Sequence, residues 1–212
     1  FSDGGKFFSP ARALAHAQTL LQDGADLIDV GAESSRPGAL PVSAQEEWAR
    51  LKDVLAELVR WNCPISLDTY RPETMQKGLD LGVDVINDIW AFRQPGALEL
   101  VRSSNCGLCA MHMHGDPQTM QLSPIKDDSI QRVKDFFQGV TQRFDQFGID
   151  SRRWVIDPGI GFGKTASQNL SLLARQQELM ELGQAVLVGW SRKSTLGQVT
   201  GLVPDQRVIP SV

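Results

Sequence analysis

The chain has 212 residues, 42% of them hydrophobic, and 21 basic against 25 acidic side chains give it a formal net charge of -4. That apolar content is ample for a continuous core in one domain, and the weakly negative balance argues against a general nucleic-acid or membrane surface. No apolar run approaches the ~18 residues of a membrane span, and residues 1–5 lack the basic and apolar regions of a signal peptide, so a soluble cytoplasmic protein is expected.

Ser9 followed by Pro10 is an N-cap with proline at the first helical position, and Leu14, Ala17 and Leu21 run on one face towards Gly24 as the stop. Residues 25–30 then form the first of six short apolar runs; the others are 64–67, 83–86, 108–111, 154–156 and 185–188. They read as near-continuous hydrophobic strands covered on both faces. Ser43 and Glu46 form a capping box in which each side chain satisfies a backbone amide, ahead of a helical face made by Trp48, Leu51, Leu55 and Leu58. Ile130, Val133, Phe137, Val140, Phe144 and Phe147 make a second such face before Gly148, and Leu170, Leu173 and Met180 a third before Gly183, all read as core.

Cys63, Cys106 and Cys109 are too few and too unevenly placed for a disulfide framework or a zinc site, and reduced thiols are the simplest reading. Strand and helix alternate, which predicts a parallel sheet with right-handed crossovers. Nearly every strand ends in polar chemistry: Glu33 and Arg36, Asp68, Asn87 and Asp88, His112, Asp157, Lys193. Convergence of that many strand ends favours an α/β barrel, with its site at the carboxyl face, over an open sheet with one switch point.

The most informative stretch is 157–164, where the apolar run 154–156 delivers Asp157 to a glycine-rich rim expected to be mobile. The design recurs where the last run reaches Gly189 and then Ser191, Arg192, Lys193 and Ser194, with a cation in place of the acid. Two nucleotide motifs fail on spacing. A Walker A loop needs glycine where Pro158 stands, and a dinucleotide fingerprint needs its third glycine at Lys164.

Taken in order, residues 1–5, 28–39, 67–70, 86–88, 111–113, 157–164 and 191–194 resemble the loop and strand-end motifs of the dihydropteroate synthases, a pterin-binding TIM-barrel family. The resemblance implies an α/β fold of the (β/α)8 type, with residues 1–212 one pterin-binding barrel domain truncated at both ends, because two strands are not visible. The family's N-V-T-P-D-S-F run and its R-x-H motif are absent. It further implies a transferase of folate biosynthesis and sulfonamide target. Such an enzyme joins p-aminobenzoate to 6-hydroxymethyl-7,8-dihydropterin diphosphate with Mg2+, whose asparagine would lie upstream.

By the same resemblance Asp68, Asn87, Met111, Asp157, Gly189 and Lys193 line the pterin pocket, with Asp68, Asp157 and Lys193 catalytic. Ser34, Ser35 and Arg36 take the diphosphate, and Ser35, Phe162, Ser191 and Lys193 the p-aminobenzoate. Ser2, Asp3, Gly4 and Gly5 belong to a lid loop. Ser35 replaces the family's usual threonine, keeping the hydroxyl and losing a methyl. Met111 and His112 are expected as pocket wall or floor, with His112 not a base. A homodimer is expected, and neither nucleic acid nor membrane as partner. The chemistry stands independently of the family: a pterin edge shows an amino group, an N–H and a carbonyl, so it needs an acceptor pair, a donor and an amide that is both. Two other readings stay open, a non-catalytic or truncated pterin-binding module and a corrinoid-linked methyltetrahydrofolate methyltransferase.

Overall fold

The computed structural model describes residues 9–35, 39–120 and 122–212. Ser2, Asp3, Gly4, Gly5 and Arg36 lie outside the described residues. Helix α1 (Pro10–Gln22) starts where Ser9 Oγ accepts from Arg12 N at 3.4 Å, and the chain turns out of it at Gly24, whose φ is +98°. There follow β1 (Ile28–Gly31), α2 (Ala44–Leu58), β2 (Ile65–Asp68), α3 (Pro72–Leu81), β3 (Val85–Asp88), α4 (Ala97–Arg102) and β4 (Gly107–Met111). The second half holds α5 (Ser129–Gln146), β5 (Trp154–Asp157), α6 (Ala166–Ala174), α7 (Gln176–Met180), β6 (Ala185–Val186) and α8 (Ser194–Thr200).

The six strands form one parallel sheet in sequence order, β1 to β6, as expected from the alternation. Among the described residues the sheet is not closed, and β1 and β6 are its two edges. This is the arc of an incomplete α/β barrel.

Side chains alternate across a strand, and the sheet uses the alternation to separate two environments. Ile28, Ile65, Leu67, Ile86, Leu108, Trp154 and Ile156 enter the main core with α2 residues Leu51, Leu55 and Leu58 and α5 residues Phe137 and Phe144. The alternate positions line the other face, and the register brings them into rows. Gly31 stands opposite Asp68, Asp68 opposite Asn87, Asn87 opposite Cys109, Cys109 opposite Val155, and Val155 opposite Ala185; one step higher, Met111 stands opposite Asp157. Helices therefore cover only one face, which corrects the expectation of strands covered on both. Asp29 and Leu187, on the inner face, are exposed.

Two helix details also differ from expectation. Ser43 Oγ does accept from Glu46 N at 3.1 Å, but Glu46 pairs with Arg50 instead of returning to the cap, so the box is half formed. A complete capping box stands at Thr165 and Gln168. The face proposed from Leu170, Leu173 and Met180 is solvent-facing, with Met180 59% exposed; Leu172 and Leu179 are buried instead. The buried stripe is the neighbouring one, Leu172 and Leu179, seven residues apart and in the same phase on both sides of the break at Arg175 between α6 and α7.

Candidate active site

A second, smaller apolar cluster lies at the carboxyl end of the sheet. Ile89, Met111, Met113, Met120 and Phe162 pack together there, with Tyr70 and Trp90 at its margin. Methionine is unbranched and polarisable, so such a cluster gives a flat heterocycle an adaptable wall. Met111 packs in this cluster and stands opposite Asp157 in the sheet. His112 does not pack there: its parity turns it to the helix side, where its ring meets Phe136 edge-on at 4.9 Å. Burial, and then the Lys164 ammonium, push its imidazolium down to about 2, so His112 stays neutral and is no base.

Asp157 ends β5 at 7% exposure. Its Oδ1 accepts from Gly159 N at 2.7 Å, so one oxygen does serve the turn before it serves any ligand. Burial raises its pKa, opposed by Lys193, the Gly159 amide and Lys164. Lys193 Nζ donates to Ile160 O at 2.6 Å and stands 5.1 Å over the Phe162 ring. Burial lowers its pKa and Asp157 raises it again. A Cβ on Gly189 would lie 3.2 Å from Lys193 Nζ and 3.9 Å from Asp157 Oδ2, so glycine there leaves the space in which the two charges approach. The rim expected to be mobile is instead docked, with residues 157–160 and 162–164 buried.

Across the sheet the pattern is different. Asn87 Nδ2 lies 3.4 Å from both carboxylate oxygens of Asp29. Because a carboxylate can only accept there, the Asn87 carbonyl oxygen is left for other use. Asp29, missed in the sequence because it lies inside an apolar run, is exposed as a residue, yet burial of its carboxyl raises its pKa while hydrogen bonds to Ser66 and Asn87 lower it. The signal was available: Asp29 has the same strand parity as Gly31, which pairs with Asp68. Asp68 is raised well above the usual range by burial and then by Asp29, Asp88 and Glu47.

The segment after β1 is tied at both ends to the start of α3. Glu33 accepts from Val42 N and Tyr70 OH at 3.0 Å each and from Arg71 Nη2 at 2.5 Å. Arg71 also lies 3.3 Å from Glu47, which takes the Thr69 and Thr74 hydroxyls at 2.9 and 2.5 Å. Ser35 lines a cavity of about 10 Å³ with Glu33, Glu47, Asp68, Thr69, Tyr70 and Ile89, so this loop reaches the carboxylate side of the site. Ser34 and Ser191 are exposed on their loops. Phe162 is only 4% exposed and is used first in packing. The cysteines are free, and burial pushes the Cys109 thiol up, away from a reactive thiolate.

The site thus joins acceptors from β2 and β5, an amide from β3, a lysine following β6 and a methionine wall, all at the carboxyl end of a parallel arc. Residues 1–212 match the family described as pterin binding enzyme, and the chain belongs to that family. Within it, the chain groups with the dihydropteroate synthases. It is 47% identical over 207 residues to the dihydropteroate synthase of Neisseria meningitidis serogroup B, covering 95% of this chain and 73% of that protein. The Yersinia pestis dihydropteroate synthase solved as a sulfonamide drug complex superposes with a TM-score of 0.95 at 43% identity, over 99% of this chain and 77% of that one. The Burkholderia cenocepacia dihydropteroate synthase complexed with 7,8-dihydropteroate gives 0.88 at 45%, over 96% and 75%.

Proposed function

We propose that this chain, one pterin-binding barrel domain over residues 1–212, carries out the dihydropteroate synthase reaction of folate biosynthesis. The methylene carbon–oxygen bond of the dihydropterin diphosphate breaks, diphosphate leaves with the electron pair, and the arylamine nitrogen of p-aminobenzoate bonds to that carbon and loses a proton. The observation that carries this reading is the gathering of Asp157, Lys193, Asp68 and Asn87 at the carboxyl end of one parallel sheet beside a Met-rich cluster, with the charge of Asp29 acting on both Asp157 and Asp68.

Asp157 Oδ2 accepts from the amino and ring N–H groups of the pterin edge, Asn87 offers its carbonyl oxygen, and Lys193 donates towards the pterin carbonyl. Met111 and Gly189 bound the ring, Gly189 by the room it leaves beside Lys193. Loss of diphosphate leaves a cationic pterin, which the acidic groups Asp68 and Asp29 favour, the charge of Asp29 being one of the causes that raise Asp68. Ser34, Ser35 and Arg36 receive the diphosphate. Ser35, Ser191, Lys193 and the accessible edge of Phe162 receive p-aminobenzoate. Ser2, Asp3, Gly4 and Gly5 close over the site.

Among the described residues no three His, Cys, Asp or Glu side chains are grouped to hold a metal ion. Mg2+ is usually held by one or two side chains together with waters and substrate phosphates, and no step is routed through the Mg2+ that the resemblance implies. No helix among the described residues is long and apolar enough to cross a membrane; a cytoplasmic, homodimeric enzyme binding neither nucleic acid nor membrane is our reading of the remainder.

The test is turnover of dihydropterin diphosphate with p-aminobenzoate by the protein as its gene encodes it, read as 7,8-dihydropteroate, beside a Lys193→Met variant. The expected result is product from the first and a loss of about 100-fold or more in the second, since a buried charge partner is removed. Pterin binding without product would make the protein a binding module, and methyl transfer from methyltetrahydrofolate would make it a methyltransferase.

A further inference from the structure

Lys164 is 2% exposed, although it follows a glycine-rich turn and belongs to a residue type almost never fully buried without a partner. Its partners are all neutral acceptors. Nζ lies 2.9 Å from His112 Nδ1, 2.9 Å from Gly159 O, 3.1 Å from Phe162 O and 3.4 Å from His112 O. An ammonium has three protons, so its donor capacity is filled. Burial pushes the group down to about 7, with Asp157 opposing from beyond hydrogen-bond reach.

Those carbonyls have their negative ends turned inward on one point, an arrangement that is repulsive unless a cation occupies the centre. The backbones are also unusually close. A Cβ on Gly159 would fall 1.9 Å from His112 O, and one on Gly163 2.4 Å from His114 O, both glycines having positive φ. The turn is thus pressed onto the chain leaving β4, and the ammonium joins the two. Gly159 carries the effect outward: its carbonyl is held by Lys164 while its N–H holds Asp157 Oδ1 at 2.7 Å. The next carbonyl, on Ile160, receives Lys193.

We propose that Lys164 is a positioning residue for the pterin site, its buried ammonium being the template on which turn 158–163 closes, so that it fixes where Asp157 and Phe162 stand without touching substrate. The proposal rests on Asp157 being the pterin-edge carboxylate, and its test separates the two claims.

Lys164→Met, Lys164→Ala and Asp157→Asn are made in the protein as its gene encodes it, with folding followed by circular dichroism. Lys164→Met keeps a side chain of similar length and loses the charge. Its kcat/KM for dihydropterin diphosphate is expected to fall about 100-fold, mainly through KM, as displacement of binding groups by about an ångström does. Its KM for p-aminobenzoate should change far less. Lys164→Ala lacks the atoms of propylammonium, and added propylammonium should restore pterin turnover where propanol of the same size does not. Full activity in Lys164→Met beside a crippled Asp157→Asn overturns the positioning role and leaves the site assignment standing. Equal rescue by propanol also overturns it, since filling space would then suffice. Full activity in Asp157→Asn overturns the site assignment itself. Should Lys164→Met not fold, the 15N resonance of the Lys164 ammonium in the unaltered protein decides: a shift on addition of 7,8-dihydropteroate is expected, and an unmoved signal refutes the coupling.

Discussion

Asp157 and Asp68 are the same residue type at the carboxyl ends of strands in one sheet, both lifted in pKa by burial, and their surroundings differ in sign. Around Asp157 stand two lysines and a backbone amide, all of which pull the carboxyl back towards ionisation. Around Asp68 stand Asp29, Asp88 and Glu47, which push it further from ionisation. The first is a fixed acceptor in a rigid setting, suited to reading the N–H groups of a heterocycle edge. The second is a crowded group of acids that holds Asp68 towards its neutral form, a setting favourable to positive charge developing beside it. Identity of residue and strand position therefore does not decide role; the neighbours brought by the adjoining strands do.

The largest expected effect tests how rigid the Asp157 side is. Gly159→Ala places a Cβ 1.9 Å from a backbone oxygen at a φ of +67°, whereas Gly31→Ala on the Asp68 side meets only side-chain atoms at 3.2 Å. The first should cost roughly 3–5 kcal/mol and the second about 1 kcal/mol in chemical denaturation, because backbone cannot give way and a side chain can. Equal costs would remove the contrast in rigidity.

Next in size, Asp157→Asn should lose roughly 2–4 kcal/mol of pterin binding, measured with 7,8-dihydropteroate by calorimetry, since it leaves Lys193 without its charge partner. Asp68→Asn should reveal itself in stability as well. A carboxyl held above its unfolded value binds more protons folded than unfolded, so stability falls as pH rises from the ordinary carboxylate range through the folded pKa. The variant removes that decline: without ligand it should melt higher than the parent at pH 8, with the gain shrinking towards pH 4, while turnover falls. A melting difference independent of pH would sink this account of Asp68.

The smallest effects compare two helix starts. Ser43→Ala and Thr165→Ala should each cost about 1 kcal/mol by loss of an N-cap, and Thr165 more, because its box is reciprocal and that of Ser43 is not. Equal losses would show that the second half of the box contributes nothing.

The strand ends were legible because a parallel sheet leaves polar residues only where apolar runs stop, and Asp68, Asn87, Asp157 and Lys193 all follow that rule. Asp29 broke it by lying within its run, and only strand parity would have exposed it. Leu170 and Leu173 misled because this segment offers leucines at 170, 172 and 173, so periodicity alone allowed two stripes, and the core takes Leu172 with Leu179. Glu46 misled because a guanidinium four residues on competes with the cap amide for its carboxylate. The burial of Lys164 was not readable at all: glycines that ordinarily signal freedom serve here to let two backbones touch.

The unclosed arc has a practical consequence. The outer flanks of β1 and β6 carry amide and carbonyl groups that no strand among the described residues pairs, and beside them Leu187 shows apolar surface to water. Such flanks are templates for strand addition. Prepared as these 212 residues, the polypeptide is expected to self-associate with a concentration-dependent rise in light scattering, and an added peptide of strand-forming sequence should suppress it by occupying the borders first.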